Sequence, residues 1–274
     1  MKATLSICWL LASCASAPTA PTLHLPPRAL TTPTSALLTH LADRPLAARE
    51  ALVLEQFERG NVPPFLATLV PIHLHAQIDG NDHHATVWCT PDYFGLGSNE
   101  DWLRMPITPQ LAQHLADRLD CVLPTSHLVD AIWQQATSKV EPHPFHPRDH
   151  DILSVRLFAD HHAAIERQRG NATRTSLLAG CKKDVVLSAL LRDWPTRVVI
   201  YGWHHLDGRA IQPRSKAHTT PHVDYSHGIR FVARSMLLDG EPTTIDIVLA
   251  HASLHVLLSD EGPIAPARYP LKKG

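Results

Sequence analysis

Side chains that transfer protons or bind metals are concentrated in the stretch HTTPHVDYSHGIRFVAR, residues 218–234. His218, Asp224, Ser226 and His227 lie close together there, directly ahead of an apolar, strand-like run. Imidazole groups can act as a general base with an orienting carboxylate, and a hydroxyl can act as a nucleophile. The stretch therefore predicts a catalytic site. The alternative is a set of exposed loop histidines with one buried hydrogen-bond network.

The same residues could instead bind a metal ion. Two histidines and a carboxylate, His218, Asp224 and His227, would form a catalytic zinc site if one coordination position stayed open. Zinc is the one cofactor that the sequence suggests. The sequence does not decide between a site with a metal and a site without one. His73 and His75, on one face of a predicted hairpin, are a second candidate metal site. An exposed polar face is the simpler interpretation of that pair.

Further polar residues extend the candidate site over residues 181–230 and the loop 91–102. Arg230 has the same strand parity as Gly228 and could bind a substrate carboxylate through two hydrogen bonds. Polar loop residues presented by a rigid scaffold are typical of binding sites. The candidate substrate-binding residues are Arg230, His204, Lys183, Tyr225 and Asp92. For the loop with Asp92, the alternative is a capped turn between two strands.

Cys181 is a candidate nucleophile. The segment after it, KKDVVLSALLRDW, could form a helix, and a helix N-terminus beside Lys182 and Lys183 would lower the pKa of the thiol. The alternative is a small, buried structural cysteine. The sequence therefore allows either a Cys nucleophile or a bound metal to work with the His/Asp residues.

Several strings resemble those of an uncharacterised family of exported bacterial proteins. The strings are YGWH, IQP, a histidine, DYSHGIR and LSDEGPI, and the resemblance covers most of residues 45–270. The family has no established activity. The resemblance implies that this range acts as a single functional unit.

Two characterised families share shorter features. SHGIR is similar to the S-H-G-C-[IV]-R signature of L,D-transpeptidases, but Ile229 follows Gly228 where that family has its cysteine nucleophile. The order of Cys181 and, further along, His227 ahead of a strand resembles NlpC-type cysteine peptidases, without their Asp-Cys-Ser-Gly motif. Both families act on peptidoglycan, so the resemblance implies chemistry on the bacterial cell envelope.

The N-terminal residues predict export. Lys2 precedes a short apolar stretch, and LASC fits a lipoprotein cleavage box in which Cys14 is lipidated. We therefore expect a lipoprotein-type signal peptide over 1–14 and an anchor in the periplasm or on the outer membrane. Cleavage before Pro18 is the alternative. Five prolines and five threonines in residues 15–35 predict an extended tether over 15–44.

Composition and periodicity predict one α+β domain over residues 45–274. Apolar periodicity predicts a helix over 45–59 and a hairpin from Thr68 to Cys89. Three helices follow, the last of which ends at Gly170. Strands over 197–203 and 228–234 and a last helix over 243–258 complete the prediction. Helices and strands do not alternate strictly, which favours α+β over a doubly wound sheet. The Pro/His-rich stretch 141–151 predicts a loop.

The functional prediction is an exported hydrolase that cuts amide or peptide bonds in an envelope polymer such as peptidoglycan. The alternative is a non-catalytic envelope lipoprotein that binds a polymer or a small ligand. With 25 basic and 26 acidic residues there is no basic patch, so no nucleic-acid partner is expected, and a membrane is contacted only through the lipid. The 20 histidines make the net charge sensitive to acidity.

Overall fold

A computed structural model describes residues 20–29 and 32–270 and shows an α+β fold. The predicted Cys14 anchor and the signal peptide over 1–14 lie outside the described residues. The α-helices are α1 Thr34–Leu41, α2 Leu46–Glu58, α3 Pro109–Arg118, α4 Ser126–Gln135, α5 Val155–Arg169 and α6 Ile245–Ala250. Short 3-10 helices span Pro64–Ala67, Ala189–Arg192 and Leu254–Leu257.

Two sheets carry most of the strands. The strands are β1 Val70–Ile78, β2 Asn81–Cys89, β3 Gly95–Gly97, β4 Trp102–Arg104, β5 Cys121–Val122, β6 Ser138–Lys139, β7 Leu178–Ala179, β8 Lys183–Val185, β9 Ile200–His204, β10 Ala210–Ser215, β11 His227–Gly228, β12 Val232–Ala233, β13 Ser235–Leu238 and β14 Glu241–Thr244. The larger sheet has the order β14-β13-β2-β12-β5, with β1 paired to β2. The smaller sheet has the order β10-β9-β8-β11, and β11 is parallel to β8.

The predicted hairpin is confirmed, and its register differs from the expected one. Ile72, Leu74 and Val87 are buried on the inner face, as the alternating pattern indicates. In the sequence DGND, a turn at Gly80–Asn81 would set Gln77 opposite His84. The turn is instead at Asp79–Gly80, where both residues have positive φ, and His75 is opposite His84. The consequence is that two imidazoles face each other on the exposed side.

Local capping signals correctly located the helices of the middle section. The side chain of Thr108 accepts a hydrogen bond from the backbone N–H of Leu111 at the start of α3. Ser154 caps α5 in the same way, and α5 ends at Gly170, which has a φ of 58°. The segment 141–151 contains no helix or strand, as predicted.

Three predicted elements of the C-terminal part are wrong in type or extent. Residues 182–194 do not form a helix but the strand β8 and a 3-10 helix, because Lys183–Val185 pair with both β9 and β11. The predicted strand 228–234 is divided between β11 and β12, which belong to different sheets. The predicted helix 243–258 is short because β14 occupies its first residues. Pairing with distant strands overrides local preference in the first two cases, and pairing of β14 with the adjacent β13 does so in the third.

The predicted tether also differs from the structure where it is described. Leu23, Leu37 and Leu41 are buried against the rest of the protein, and the Arg28 side chain donates hydrogen bonds to the backbone oxygens of Val62 and Gly97. Pro33 stands ahead of α1, so proline starts an element here instead of keeping the chain extended. Residues 20–29 and 32–44 thus pack onto the body.

One hydrophobic cluster contains residues from Leu23 to Tyr269 and lies between the two sheets' strands and the helices packed on them. Cys89, Cys121 and Cys181 are all free and buried, so none of the described cysteines forms a disulfide. None of the described helices is long and apolar enough to cross a membrane.

Candidate metal centre

Residues 218–228 are held in place by backbone pairing on both sides. The carbonyl of His218 accepts a hydrogen bond from Val198 N–H, and Thr220 N–H donates to Thr196. At the other end β11 pairs in parallel with β8, with His227 beside Lys183. The segment between these anchor points turns back on itself, which brings histidines from its two ends toward the same carboxylate.

Asp224 is oriented by its own turn. Its Oδ1 accepts hydrogen bonds from the backbone N–H of Ser226, at 2.7 Å, and from the Ser226 hydroxyl. This pattern is an Asx-type turn, which the sequence Asp-x-Ser favours. Because Oδ1 is fully engaged, Oδ2 is the oxygen left to face the histidines. Ser226 is fully buried, so it orients Asp224 and is not placed as a nucleophile.

His222, Asp224 and His227, which we call the His/Asp cluster, bring three ligand atoms within 4.8 Å of one another. The Nε2 atoms of His222 and His227 lie 3.5 Å and 3.9 Å from Oδ2 of Asp224. Ligand atoms about 2.0–2.1 Å from a tetrahedral zinc ion are roughly 3.4 Å apart, so these separations are close to those of a bound ion. Nε2 of His222 and both ring nitrogens of His227 are buried without a hydrogen-bond partner. Buried unpaired nitrogens aimed at one carboxylate fit a metal ion.

The electrostatics give His227 and Asp224 the protonation states that metal binding requires. Burial, opposed by Asp224 and reinforced by His222 and Lys183, lowers the pKa of His227 to about 4, so its imidazole is neutral at pH 7. Burial would raise the pKa of Asp224, but His222, His227, Ser226 and Lys183 outweigh it and hold the pKa below its usual value. A neutral imidazole and an ionised carboxylate can bind a metal without first losing a proton.

His218, a predicted metal ligand, occupies the solvent side of the cluster. Its ring stacks on that of His222 with centroids 3.9 Å apart, and its side chain is exposed. The ligand set in the structure therefore replaces His218 by His222. Lys183 lies beside His227 in the pair of strands β8 and β11, and its Nζ is 4.9 Å from the centroid of the Trp203 ring. The approach from solvent is thus formed by His218 and His222 with a cation nearby.

Asp92, predicted to line a cleft, is instead the centre of a buried arginine network. This network consists of Asp92, Arg104, Glu166, Arg169 and Arg174. Asp92 is 0% exposed, and Arg104 donates to its two oxygens at 2.8 Å and 2.7 Å. Burial would raise the pKa of Asp92, but Arg104 and Arg169 lower it to about 2. The position of Asp92 is therefore structural, because its oxygens are occupied by guanidinium groups.

Arg230, predicted to bind a substrate carboxylate, is also internal. It is 1% exposed, and its guanidinium donates to the backbone oxygens of Thr90 and Leu178 at 2.6 Å. The missing side chain of Gly228 allows close approach of the Tyr93 ring, because a Cβ atom there would come within 2.6 Å of it. Arg230 lies between β11 and β12, and both it and Gly228 pack on the protein interior.

Cys181 is not placed as a nucleophile. It lies in the turn between β7 and β8, not at a helix N-terminus, and is packed with Tyr93, Val140 and Ile165. Burial raises the pKa of its thiol to about 12 and outweighs the neighbouring positive charges. A thiol without access to solvent and with a raised pKa is a poor nucleophile. The structure therefore supports the buried structural cysteine.

His204 and Tyr225 point away from the His/Asp cluster. Nε2 of His204 lies 2.9 Å from Asp130 of α4, and its ring stacks on Trp133. The hydroxyl of Tyr225 donates to the backbone oxygen of Phe145 and accepts from its N–H. Both side chains thus have structural partners. Among the predicted site residues, the structure brings together Asp224, Ser226, His227 and Lys183, with His218 at the rim.

The predicted metal ligands omitted His222, and neither Lys182 nor His161 was predicted as a site residue. The spacing His222-x-Asp224-x-x-His227 was present in the quoted stretch and could have indicated the ligand set. Lys182 is 1% exposed and donates to the backbone oxygen of Tyr225, and burial lowers its pKa to about 7. His161 is buried with no hydrogen bond on either nitrogen. No local signal distinguishes either residue from an ordinary exposed Lys or His.

No known protein family, curated protein or solved structure shows a significant match to this chain.

Proposed function

We propose that this protein is an exported hydrolase of amide or peptide bonds in a cell-envelope polymer such as peptidoglycan, and that it works with a divalent metal ion held by His222, Asp224 and His227. The observation that carries the proposal is the convergence of three ligand atoms within 4.8 Å, with buried nitrogens that lack hydrogen-bond partners. Two histidines, one carboxylate and an open position are the donor set of many catalytic zinc sites.

The surrounding residues support a reaction at this position. A bound zinc ion would supply Lewis acidity and lower the pKa of a coordinated water. Ser226 fixes the orientation of Asp224 by occupying its Oδ1. His218, exposed beside His222, is placed to exchange a proton with a substrate. Lys183 supplies a positive charge that can stabilise negative charge developing on a substrate oxygen.

The substrate class is supported by the sequence. The local similarity of SHGIR to L,D-transpeptidases and the predicted lipoprotein anchor both indicate the envelope. The Cys nucleophile is no longer part of the mechanism, because Cys181 is buried and its pKa is raised. The metal is therefore the route that remains for the His/Asp residues.

A second candidate function is a non-catalytic envelope lipoprotein that binds a polymer or a small ligand. It is favoured by the depth of the ligands, since His227 and Asp224 are only 1% and 6% exposed. In that case the metal would be structural and would tie the turn 218–228 together. The two functions share the site and differ in whether substrate is cut.

The first experiment measures metal content. Protein purified without a histidine tag is exchanged into metal-free buffer, titrated with zinc, and analysed by mass spectrometry of the metal. We expect one tightly bound ion per chain in the wild type and in the control His114→Ala, which removes an exposed histidine of α3. His222→Ala and His227→Ala should each lose it. Wild-type protein without a bound metal would refute the proposal.

The second experiment separates the two functions. Peptidoglycan sacculi are incubated with zinc-loaded wild type, with chelator-treated protein and with Asp224→Asn, and soluble products are separated by liquid chromatography. New amino termini should appear only with the zinc-loaded wild type. Iodoacetamide should leave native Cys181 unlabelled and activity unchanged. Metal binding without any product would favour the binding protein.

A third experiment tests the location. Mass spectrometry of the protein expressed with its own N-terminus in a bacterium should find an acylated Cys14 as the first residue. An unmodified N-terminus at Pro18 would instead show plain secretion.

A further inference from the structure

An open groove of about 490 Å³ lies beside the candidate metal centre. It is lined by the end of the 3-10 helix Ala189–Arg192 and by the strand end Arg214–Ala217. Trp194 is 45% exposed in this groove, which is unusual for so large an apolar side chain. An exposed aromatic ring in a concavity offers apolar surface to a ligand.

Two cations are held over this ring. Nζ of Lys216 lies 4.3 Å from the centroid of Trp194, and Cζ of Arg197 lies 5.9 Å from it. Arg197 is further positioned by a hydrogen bond to the backbone oxygen of Ala217. Cation–π contacts of this kind hold a charge in place without neutralising it.

Arg197 and Lys216 form no ion pair with any carboxylate of the described residues. The neighbouring Arg214 shows the difference, because it pairs with Asp260 at 2.6 Å and with Glu261 at 3.3 Å. Lys183 likewise has no carboxylate within ion-pair distance among those residues. Positive charges that are ordered and left unpaired in a groove attract an anionic ligand.

Backbone contacts connect the groove residues to the chain segment that carries the His/Asp cluster. Arg197 pairs with Thr219 in an isolated bridge, and Val198 binds the carbonyl of His218. Lys216 is two residues ahead of His218, whose ring stacks on His222. The cations of the groove therefore lie on chain segments that adjoin His218.

We infer that the groove formed by Trp194, Arg197 and Lys216 is a substrate subsite that binds a carboxylate-bearing segment of the polymer. This inference rests on the proposed function. Arg197 keeps guanidinium N–H groups beyond the one bound to Ala217, and these can donate to both oxygens of a carboxylate, while Lys216 adds a point charge. Trp194 offers apolar surface to the sugar or peptide chain that carries the carboxylate.

The test measures binding of the zinc-loaded protein to peptidoglycan sacculi by cosedimentation in the cold, before digestion is appreciable. We expect the double variant Arg197→Ala/Lys216→Ala to bind at least about tenfold more weakly than wild type. Sacculi whose carboxylates have been converted to amides should bind wild type equally weakly. About 0.5 M NaCl should weaken wild-type binding strongly and that of the double variant little.

Arg192→Ala is the matched control, because it removes an exposed cation of the neighbouring 3-10 helix that lines a different cavity. It should bind sacculi like wild type. Wild-type binding by the double variant would overturn the subsite, as would equal binding of amidated sacculi or preferential binding to a polyglycerol phosphate.

Metal content measured in the same samples separates the two proposals. The double variant should keep its full zinc content, since neither side chain is a ligand. Normal zinc with normal sacculus binding in this variant overturns the subsite alone. A wild type without zinc overturns the proposed function, whatever the sacculi show.

Discussion

The arginine network around Asp92 and the His/Asp cluster both place carboxylates among titratable side chains, yet their hydrogen bonding differs. The oxygens of Asp92 accept from Arg104, Arg169 and the backbone N–H of Tyr93. In the His/Asp cluster, the facing nitrogens of His222 and His227 have no hydrogen-bond partner and lie 3.5 Å and 3.9 Å from Oδ2 of Asp224. Both regions are buried, so burial alone does not distinguish them.

The difference shows what separates a structural charge cluster from a functional one. A buried ion pair with good geometry compensates its own desolvation, and it needs no ligand. A buried nitrogen without a partner costs free energy that a bound ion would recover. Nε and Nη1 of Arg169 also lack hydrogen bonds, so the distinction lies at the carboxylates: arginines donate to both oxygens of Asp92, whereas the histidine nitrogens that face Asp224 form no hydrogen bond.

The largest effect is expected on the free energy of unfolding when Asp92 of the arginine network is replaced. Asp92→Asn removes the charge that compensates Arg104 and Arg169, both of which stay buried. We expect the free energy of unfolding to fall by about 3–5 kcal/mol in urea at pH 7. The control Asp160→Asn, on the exposed side of α5, should change it by less than about 0.5 kcal/mol. A small effect at Asp92 would show that the network contributes little.

The second prediction concerns the buried side chain of Lys182, which donates a hydrogen bond to the backbone oxygen of Tyr225. Its pKa is lowered from 10.5 to about 7 by burial, so folded Lys182 is neutral and unfolded Lys182 charged between those values. The contribution of Lys182 to the free energy of unfolding is therefore fully present above pH 10.5 and is lost as the pH falls to about 7. As the pH is lowered through that range, the free energy of unfolding of Lys182→Met should rise by a few kcal/mol relative to that of wild type.

Urea unfolding at several pH values measures this difference. Replacing the exposed Lys139 by Met should give a difference that stays flat with pH. A flat profile for Lys182→Met as well would show that Lys182 keeps its proton when folded. Loss of the hydrogen bond to Tyr225 adds a constant offset, which the pH dependence does not contain.

The third prediction is the reverse of the first, because Asp224 should matter more for turnover than for stability. Asn at position 224 can still accept from Ser226 through its side-chain oxygen, so the turn persists. We expect the melting temperature of Asp224→Asn to stay within a few degrees of wild type. Hydrolysis of sacculi should fall about a hundredfold, equivalent to about 3 kcal/mol of barrier. A large loss of stability with unchanged specific activity would make Asp224 structural.

The sequence predicted the elements whose signals are local. Thr108 and Ser154 stand at helix starts, and alternation in β1 and β2 marked the buried face. It failed where long-range pairing decides, as in the predicted helix 182–194, of which β9 and β11 hold Lys183–Val185 as a strand. The candidate site was found only in part for the same reason. Whether Arg230 faces a cleft or the core depends on Tyr93 and Thr90, which are far away in the chain.

The smallest effect is expected at the hairpin, whose histidines provide a second comparison with the His/Asp cluster. The rings of His75 and His84 lie 4.8 Å apart, and Nε2 of His75 lies 3.3 Å from Asp82. These are the same residue types as in the cluster, but the hairpin side chains are largely exposed and water can satisfy them. No set of three ligand atoms there is as close as the one at 222–227.

The double variant His75→Ala/His84→Ala should therefore leave the zinc content at one ion per chain and the free energy of unfolding within about 0.5 kcal/mol of wild type. Zinc titration and urea unfolding on the same preparation measure both. A stoichiometry that drops by one ion would locate the metal on the hairpin and remove it from the His/Asp cluster. An unchanged stoichiometry, together with loss of zinc in His227→Ala, would mean that unpaired buried nitrogens, and not the number of nearby histidines, determine where the ion binds.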